Sequence, residues 1–299
     1  MDNLSNPAVI RALLERHGFS FSKALGQNFL INPGVCPKMA QLGIDSPDWG
    51  VLEIGAGVGV LTQELARRAA KVAVVEIDQR LLPVLEESLA EYENVSVILG
   101  DVMKVDLPAL LKEQFGDRPV CVCANLPYYI TSPILMMLLE QRPRQGGCLR
   151  PLLRHPLQAI TVMVQKEAAA RLCAQPGSRE CGAVTFAVRY YSTPRQLFPV
   201  SRGSFFPAPK VDSAVIRLDI HPNPDYGVKD EKLLFTAVRA GFGQRRKTLA
   251  NPLSGALHLP KEQVQQALTQ AGLSLTVRAE AVPFEGWIRL ANALKERLG

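Results

Sequence analysis

The chain has 299 residues, 47% of them hydrophobic and 21% charged, which suits one large domain plus a smaller one and excludes wholesale disorder. Its longest apolar runs, such as residues 134–139, are far too short to span a bilayer, and residues 1–6 are polar with Asp2 where a signal peptide would be basic, so a cytoplasmic protein away from membranes is expected. The net charge of +6 is uneven, because residues 228–299 hold 11 Lys and Arg against 6 Asp and Glu; such a tail is either a surface for a polyanion or a solvated helical face.

Six cysteines without a C-x-x-C pair, beside four histidines, suggest neither a zinc site nor a disulfide framework, and they read as reduced core thiols. From the start of the chain, Asn6 and Pro7 ahead of Val9, Ile10, Leu13 and Leu14, with Gly18 beyond, predict a short capped helix. Next, Lys23, Ala24, Leu25, Gly26, Gln27, Asn28, Phe29 and Leu30 mix a cation, amides and apolar residues without periodicity, as a binding lip or an ordinary loop would.

Val51, Leu52, Glu53 and Ile54 predict a buried strand running into Gly55, Ala56, Gly57, Val58 and Gly59, and then a helix with Val60, Leu61, Leu65, Ala66 and Ala69 inward. Strand, glycine turn and helix make a nucleotide-type cradle, in which backbone approaches ligand closely. The third glycine of the dinucleotide fingerprint would stand where Val60 is. The turn therefore suits a ligand with ribose and amino-acid portions and no pyrophosphate, and argues against a nicotinamide cofactor.

A second strand over residues 72–75 ends at Glu76, about 20 residues past the first glycine, where doubly wound sheets place an acid on ribose hydroxyls. Asp78 is expected to cap a helix carrying Leu81, Leu82, Leu85 and Leu89. A third strand, Val95–Leu99, ends in Gly100 and Asp101, and a fourth, residues 120–124, ends in Asn125, Leu126, Pro127 and Tyr128. The carboxyl ends of parallel strands share one edge, so Gly55, Glu76, Asp101 and Asn125 are expected on one cleft. Taken alone, residues 125–128 read either as a plain turn or as the holder of a flat amine-bearing ring, with an amide oxygen to accept, a proline to stiffen and an aromatic to stack.

Further along, residues 132–139 predict a helix and residues 159–164 a fifth strand, with an Arg-, Pro- and Gly-containing mobile loop over residues 142–156 between them. Residues 182–191 read as a helix, and strands at 196–199 and 214–218 complete the sheet across a proline-rich segment at 205–209. Turn residues mark 221–227 as a linker. Beyond it Leu233, Leu234, Ala237 and Val238, then Val264, Ala267, Leu268 and Ala271, then Phe284, Trp287, Ile288, Ala291 and Leu294 mark three amphipathic helices. The expected domains are residues 1–220, with 1–30 as N-terminal helix and lip, and a basic helical domain at 228–299.

Residues 53–59, Glu76, Gly100 with Asp101, and residues 125–128 resemble the motifs of class I S-adenosylmethionine methyltransferases that act on an exocyclic adenine amine. With residues 23–30, 205–215 and 244–249 they resemble the rRNA adenine N(6)-methyltransferase family, in its bacterial small-subunit dimethyltransferase branch, from about Phe19 to the C-terminal end. That resemblance implies an α/β fold: a Rossmann-like class I methyltransferase sheet with helices on both faces, plus a small all-α C-terminal domain that binds RNA. It implies S-adenosylmethionine as methyl donor without a metal, Asn28 and Leu30 closing over it, Gly55 at its amino-acid end, Glu76 on its ribose, Asp101 on its adenine amine and Asn125 on the reaction side.

The reaction implied is N6,N6-dimethylation of two adjacent adenosines in the 3′-terminal hairpin of small-subunit rRNA, in a pre-30S particle, by a monomer. Asn125 and a backbone carbonyl at Leu126 or Pro127 would accept the amine hydrogens and Tyr128 would stack. Phe205 and Phe206 would lie beside the target base, and Arg245, Arg246 and Lys247 would contact phosphate. Two alternatives stand beside this reading: a large-subunit rRNA methyltransferase of the antibiotic-resistance type, disfavoured by Gln244, Arg245, Arg246, Lys247, Thr248 and Leu249, and an RNA-binding assembly factor without turnover.

Overall fold

The apolar runs assemble into one seven-stranded sheet in a computed structural model of the protein, which describes residues 4–20, 27–140, 144–145, 148–149, 157–222 and 225–298. Numbered along the chain, the strands are β1 (Gly50–Ile54), β2 (Lys71–Glu76), β3 (Val95–Leu99), β4 (Val120–Asn125), β5 (Leu157–Gln165), β6 (Ser192–Val200) and β7 (Ser213–Ile220). They lie side by side in the order 3-2-1-4-5-7-6. Pairing is parallel from β3 across to β5, and β7 runs antiparallel between β5 and β6. β1 and β4 sit mid-sheet with Val51, Leu52, Cys121, Val122 and Cys123 all buried, which is why their sequences are continuous apolar runs rather than alternating ones. Strand order reverses between β1 and β4, the place where open α/β sheets leave a crevice at the carboxyl ends.

Capping residues fix the helices around this sheet. Asn6 accepts from the Ala8 N–H at 2.9 Å at the start of helix Pro7–Arg16, and Asp106 accepts from Ala109 at 3.1 Å at the start of Leu107–Phe115. Asp78, expected to open an α-helix, instead caps a single 3₁₀ turn, Gln79–Leu81, by accepting from Arg80. The α-helix proper is Leu82–Ser88, with Pro83 in its first turn, where the missing N–H costs nothing.

The chain forms two compact units, Met1–Ala169 with Ser192–Asn223, and Ala170–Tyr191 with Pro224–Gly299. Helix Ala183–Tyr191, grouped on sequence with residues 1–220, belongs to the second unit. Its aromatics are the reason: Phe186 stacks on Phe284 with centroids 5.0 Å apart, Tyr191 stacks on Phe235 at 5.7 Å, and the Tyr190 and Tyr191 hydroxyls both donate to Glu231, at 3.2 and 2.8 Å. Helices Glu231–Gly243, Ala250–Leu257, Lys261–Gln270 and Phe284–Leu298 complete this unit around buried Trp287. Gly241 is required there, because a Cβ would stand 2.7 Å from both Leu249 and Trp287.

Cys36, Cys121, Cys123 and Cys181 are buried free thiols and Cys173 is half-buried. No helix among the described residues is long and apolar enough to cross a membrane. Lys23, Ala24, Leu25 and Gly26 of the expected lip, most of the 142–156 segment, and Asn223 and Pro224 of the expected linker lie outside the described residues. Within 142–156, Arg144–Gln145 pairs antiparallel with Cys148–Leu149.

Candidate active site

The carboxyl ends of β1, β2 and β4 open on one solvent-accessible cleft, at the switch in strand order where open α/β sheets bind ligands. Gln27, Asn28, Phe29 and Leu30 form one wall. Their backbone is held as a two-residue ribbon in which Phe29 pairs with Phe206 and Leu30 with Phe205. The turn after β1 is built for close approach: Gly55 and Gly57 have φ of +73° and +61°, and a Cβ on Gly57 would stand 2.9 Å from the Phe29 ring. A side chain at Gly57 would strain the turn and displace the lip together.

Two buried acids face this turn. Glu76 is 4% exposed; one of its oxygens accepts from the Asp78 N–H at 3.0 Å and the other from Gly57 at 3.4 Å. Burial pushes its carboxyl above the ordinary range, while the N–H groups of Asp78, Gly57 and Ile77 pull it back. Glu53, 1% exposed, has an Oε2 with no hydrogen-bond partner among the described residues. Burial pushes its carboxyl up to about 8; Thr62 tempers the rise from outside hydrogen-bonding geometry, and Glu76 adds to it. A buried acid left unpaired in a cleft wall calls for a cationic ligand group.

At the end of β4, Asn125 donates through Nδ2 to the Asn28 carbonyl at 3.4 Å, which leaves Oδ1 to accept from a ligand. The Pro127 carbonyl already accepts from the Ile130 N–H at 3.2 Å and the Thr131 hydroxyl at 3.0 Å. With both lone pairs of the Pro127 carbonyl engaged, the Leu126 carbonyl is left as the candidate backbone acceptor of the two that sequence had named. The Tyr128 hydroxyl is hydrogen-bonded to Ser213 Oγ at 2.7 Å, and burial raises its pKa. Tyr129, next in the chain, lines the cleft and is 63% exposed.

Asn28, Leu30, Gly55, Glu76, Asn125, Leu126, Pro127 and Tyr128 all line this one cleft. Asp101 is not among the lining residues: it ends the neighbouring strand, accepts from the Met103 N–H at 3.0 Å and pairs with Lys104 at 3.6 Å. Phe205 is buried in the ribbon, and Phe206 lies under the Arg11 guanidinium, 4.6 Å from its ring centroid. Arg245, Arg246 and Lys247 are exposed in the second unit, Arg245 donating to the Arg179 carbonyl at 2.8 Å. Sequence reasoning missed Ser213, whose role depends on β7 running beside β5. It also gave no role to Glu53, Ile77 and Tyr129, although the first precedes the glycine turn and the others directly follow residues it had singled out.

An unpaired buried acid for an ammonium, a glycine turn for close backbone contact and a second acid for vicinal hydroxyls together fit an amino-acid-bearing nucleoside. On a 3-2-1-4-5-7-6 sheet, that combination defines a class I S-adenosylmethionine-dependent methyltransferase. Within the class, the chain belongs to the family described as ribosomal RNA adenine dimethylase, which it matches over residues 18–296. It is 42% identical to the ribosomal RNA small subunit methyltransferase A of Alkaliphilus metalliredigens, over 99% of this chain and 100% of that one. The protein of the same description from Geobacillus thermodenitrificans is 44% identical, over 98% of this chain and 97% of the relative. Among solved structures, the 23S rRNA methyltransferase ErmE aligns with TM-score 0.66 and 28% identity, covering 90% of this chain and 100% of that one. A dimethyladenosine transferase from Plasmodium falciparum, at 24% identity, shares the fold with TM-score 0.70 over 90% of this chain and 98% of that one.

Proposed function

We infer that the protein uses S-adenosylmethionine to dimethylate N6 of two adjacent adenosines in the 3′-terminal hairpin of small-subunit rRNA. The observation that carries this reading is the end of β4, where Asn125 donates through Nδ2 to the Asn28 carbonyl and lines the same cleft as Leu126 and Tyr128. Identity of 42% and 44% to small-subunit enzymes, against 28% to a 23S rRNA enzyme, supports the choice of subunit.

The adenine N6 lone pair is delocalised into the ring, so the amine is a poor nucleophile until its electrons are localised. In the first transfer Asn125 Oδ1 and the Leu126 carbonyl accept its two hydrogens, and in the second the one that remains, drawing density onto nitrogen while the Tyr128 ring holds the base plane; each transfer ends with loss of one N–H proton to solvent. The cofactor, when bound, supplies a methyl on a sulfonium whose leaving group is a neutral thioether, so the displacement calls for no Lewis acid. Glu53 would pair with the cofactor's ammonium, Glu76 would accept from its ribose hydroxyls, Asn28 and Leu30 would cover it, Gly55 would let it approach the backbone, and Asp101 is assigned to its adenine amine. Most of the rate gain comes from positioning. A base in an RNA loop is cheap to extrude into such a cleft.

Residues 1–220, apart from the segment 170–191 that groups with the second unit, are proposed as the catalytic domain and 228–299 as a phosphate-contacting one acting through Arg245, Arg246 and Lys247, in a cytoplasmic monomer that meets its RNA in a pre-30S particle. Phe205 and Phe206 are assigned a supporting position beside the target base. Incubating pure protein with S-adenosylmethionine and small subunits that lack the modification, then mapping methylated adenosines by mass spectrometry, tests the reading. Modification of large-subunit RNA alone, or none, overturns it.

A further inference from the structure

We propose that Tyr129 is a second stacking platform, receiving the nucleobase next to the adenine held over Tyr128. The two tyrosines are consecutive and line one cleft, yet they are treated differently by the fold. Tyr128 is half-buried and its hydroxyl is tied to Ser213. Tyr129 is 63% exposed and makes no hydrogen bond or ring contact with any described residue, and it is the only aromatic among the exposed large hydrophobic side chains of the described residues. A solitary exposed apolar residue needs no explanation. An unpartnered aromatic ring at the mouth of a cleft that holds an adenine is a different matter, because single-stranded RNA is recognised chiefly by stacking on such rings.

The substrate chemistry supplies the other half of the argument, which rests on the proposed function. When one of two adjacent adenosines is drawn out of its stack, its neighbour loses a stacking partner and exposes a π-face. Consecutive Cα atoms are about 3.8 Å apart, so neighbouring rings on the protein can serve neighbouring bases on the RNA. Tyr129 covers that exposed face, lowering the cost of extrusion and keeping the second adenosine at the cleft while the first is modified. It is a positioning residue: the acceptors are Asn125 and Leu126, and the contribution of Tyr129 falls on RNA affinity and on retention of the second target.

Tyr129→Ala and Tyr129→Phe variants of the full chain, assayed with unmodified small subunits, test this. For the alanine variant the expected result is a KM for RNA raised about 10-fold, in line with the value of one base–aromatic stack, with particles modified at one adenosine accumulating before those modified at both. The phenylalanine variant, which keeps the ring, restores both readouts, and calorimetric affinity for S-adenosylmethionine stays within about twofold in each, as expected where only a base–aromatic stack is removed. A separate readout is 2-aminopurine at the neighbouring position of a hairpin RNA, whose fluorescence is quenched on binding by the parent and by Tyr129→Phe but not by Tyr129→Ala. Wild-type KM and product distribution in Tyr129→Ala overturns the proposal, as does a phenylalanine variant as impaired as the alanine one. Absence of methylation by the unaltered protein with cofactor bound overturns the functional reading itself, and the two failures are thereby distinguished.

Discussion

Two tyrosine pairs in this chain are put to opposite uses. Tyr190 and Tyr191, in the second unit, are buried, pack edge-to-face with centroids 5.0 Å apart and spend both hydroxyls on Glu231. Tyr128 and Tyr129, in the first, share a cleft wall in which one hydroxyl is spent on Ser213 and the other ring is left in water. The difference teaches where function lies. Around Glu231 polar and aromatic groups satisfy one another; in the cleft, among the described residues, Glu53 Oε2 is unpaired, Asn125 Oδ1 is left to accept and Tyr129 has no partner. Capacity withheld from folding is capacity available to ligands.

If that contrast is right, the largest effect comes from removing an unspent group. Asn125→Ala is expected to lower methyl transfer about 10²–10³-fold, the usual loss for one preorganised transition-state partner, with cofactor affinity by calorimetry changed only modestly. Loss of cofactor binding with single-turnover transfer intact would reverse the assignment. Next in size, Glu231→Ala strips two buried hydroxyls of their acceptor and is expected to destabilise the helical unit by about 2–3 kcal/mol, read as a lowered midpoint in urea. An unchanged midpoint would remove Tyr190 and Tyr191 from the comparison.

A subtler effect concerns Glu53. Its carboxyl titrates near 8 in the fold against an ordinary 4.5, so below about pH 4.5 both folded and unfolded chains are protonated and ionisation adds nothing to the cost of burial. Between 4.5 and 8 the unfolded chain is ionised while the folded one stays neutral, and stability without cofactor falls as pH rises. Glu53→Gln is expected to flatten that slope in thermal melts. An ammonium placed against Glu53 reverses the preference, so cofactor binding should release a proton near neutral pH, seen as a dependence of calorimetric heat on buffer ionisation enthalpy that the Gln variant lacks. Smallest of all, Tyr128→Phe removes only the Ser213 bond, for a cost of about 1 kcal/mol and a severalfold fall in kcat; a loss as large as that of Asn125→Ala would mean the hydroxyl itself takes part in chemistry.

Much of the fold could be read from the chain because buried parallel strands announce themselves. The runs before Gly55, Glu76, Asp101 and Asn125 all became sheet strands. Strand ends share an edge, however, without sharing reach, and Asp101 sits on that edge outside the cleft lining. Helix Ala183–Tyr191 was visible in its periodicity, whereas its membership of the second unit was not, since partners such as Phe284 lie far along the chain. Which carbonyl is left as the candidate acceptor depended on Thr131 turning its hydroxyl back onto Pro127, a contact with no signature in composition. Helix Leu107–Phe115 went unanticipated even though Asp106 and Pro108 mark its start.

The pairing of Phe29 with Phe206 and of Tyr128 with Ser213 has a consequence for how the protein comes into being. Every residue lining the cleft lies between Gln27 and Tyr129, so during synthesis the whole set of reactive groups leaves the ribosome early. The strand that steadies the lip and the serine that steadies the ring come much later, Ser213 a full 85 residues after Tyr128. A nascent chain thus owns its cleft residues well before the segments that hold the lip and Tyr128 have been made.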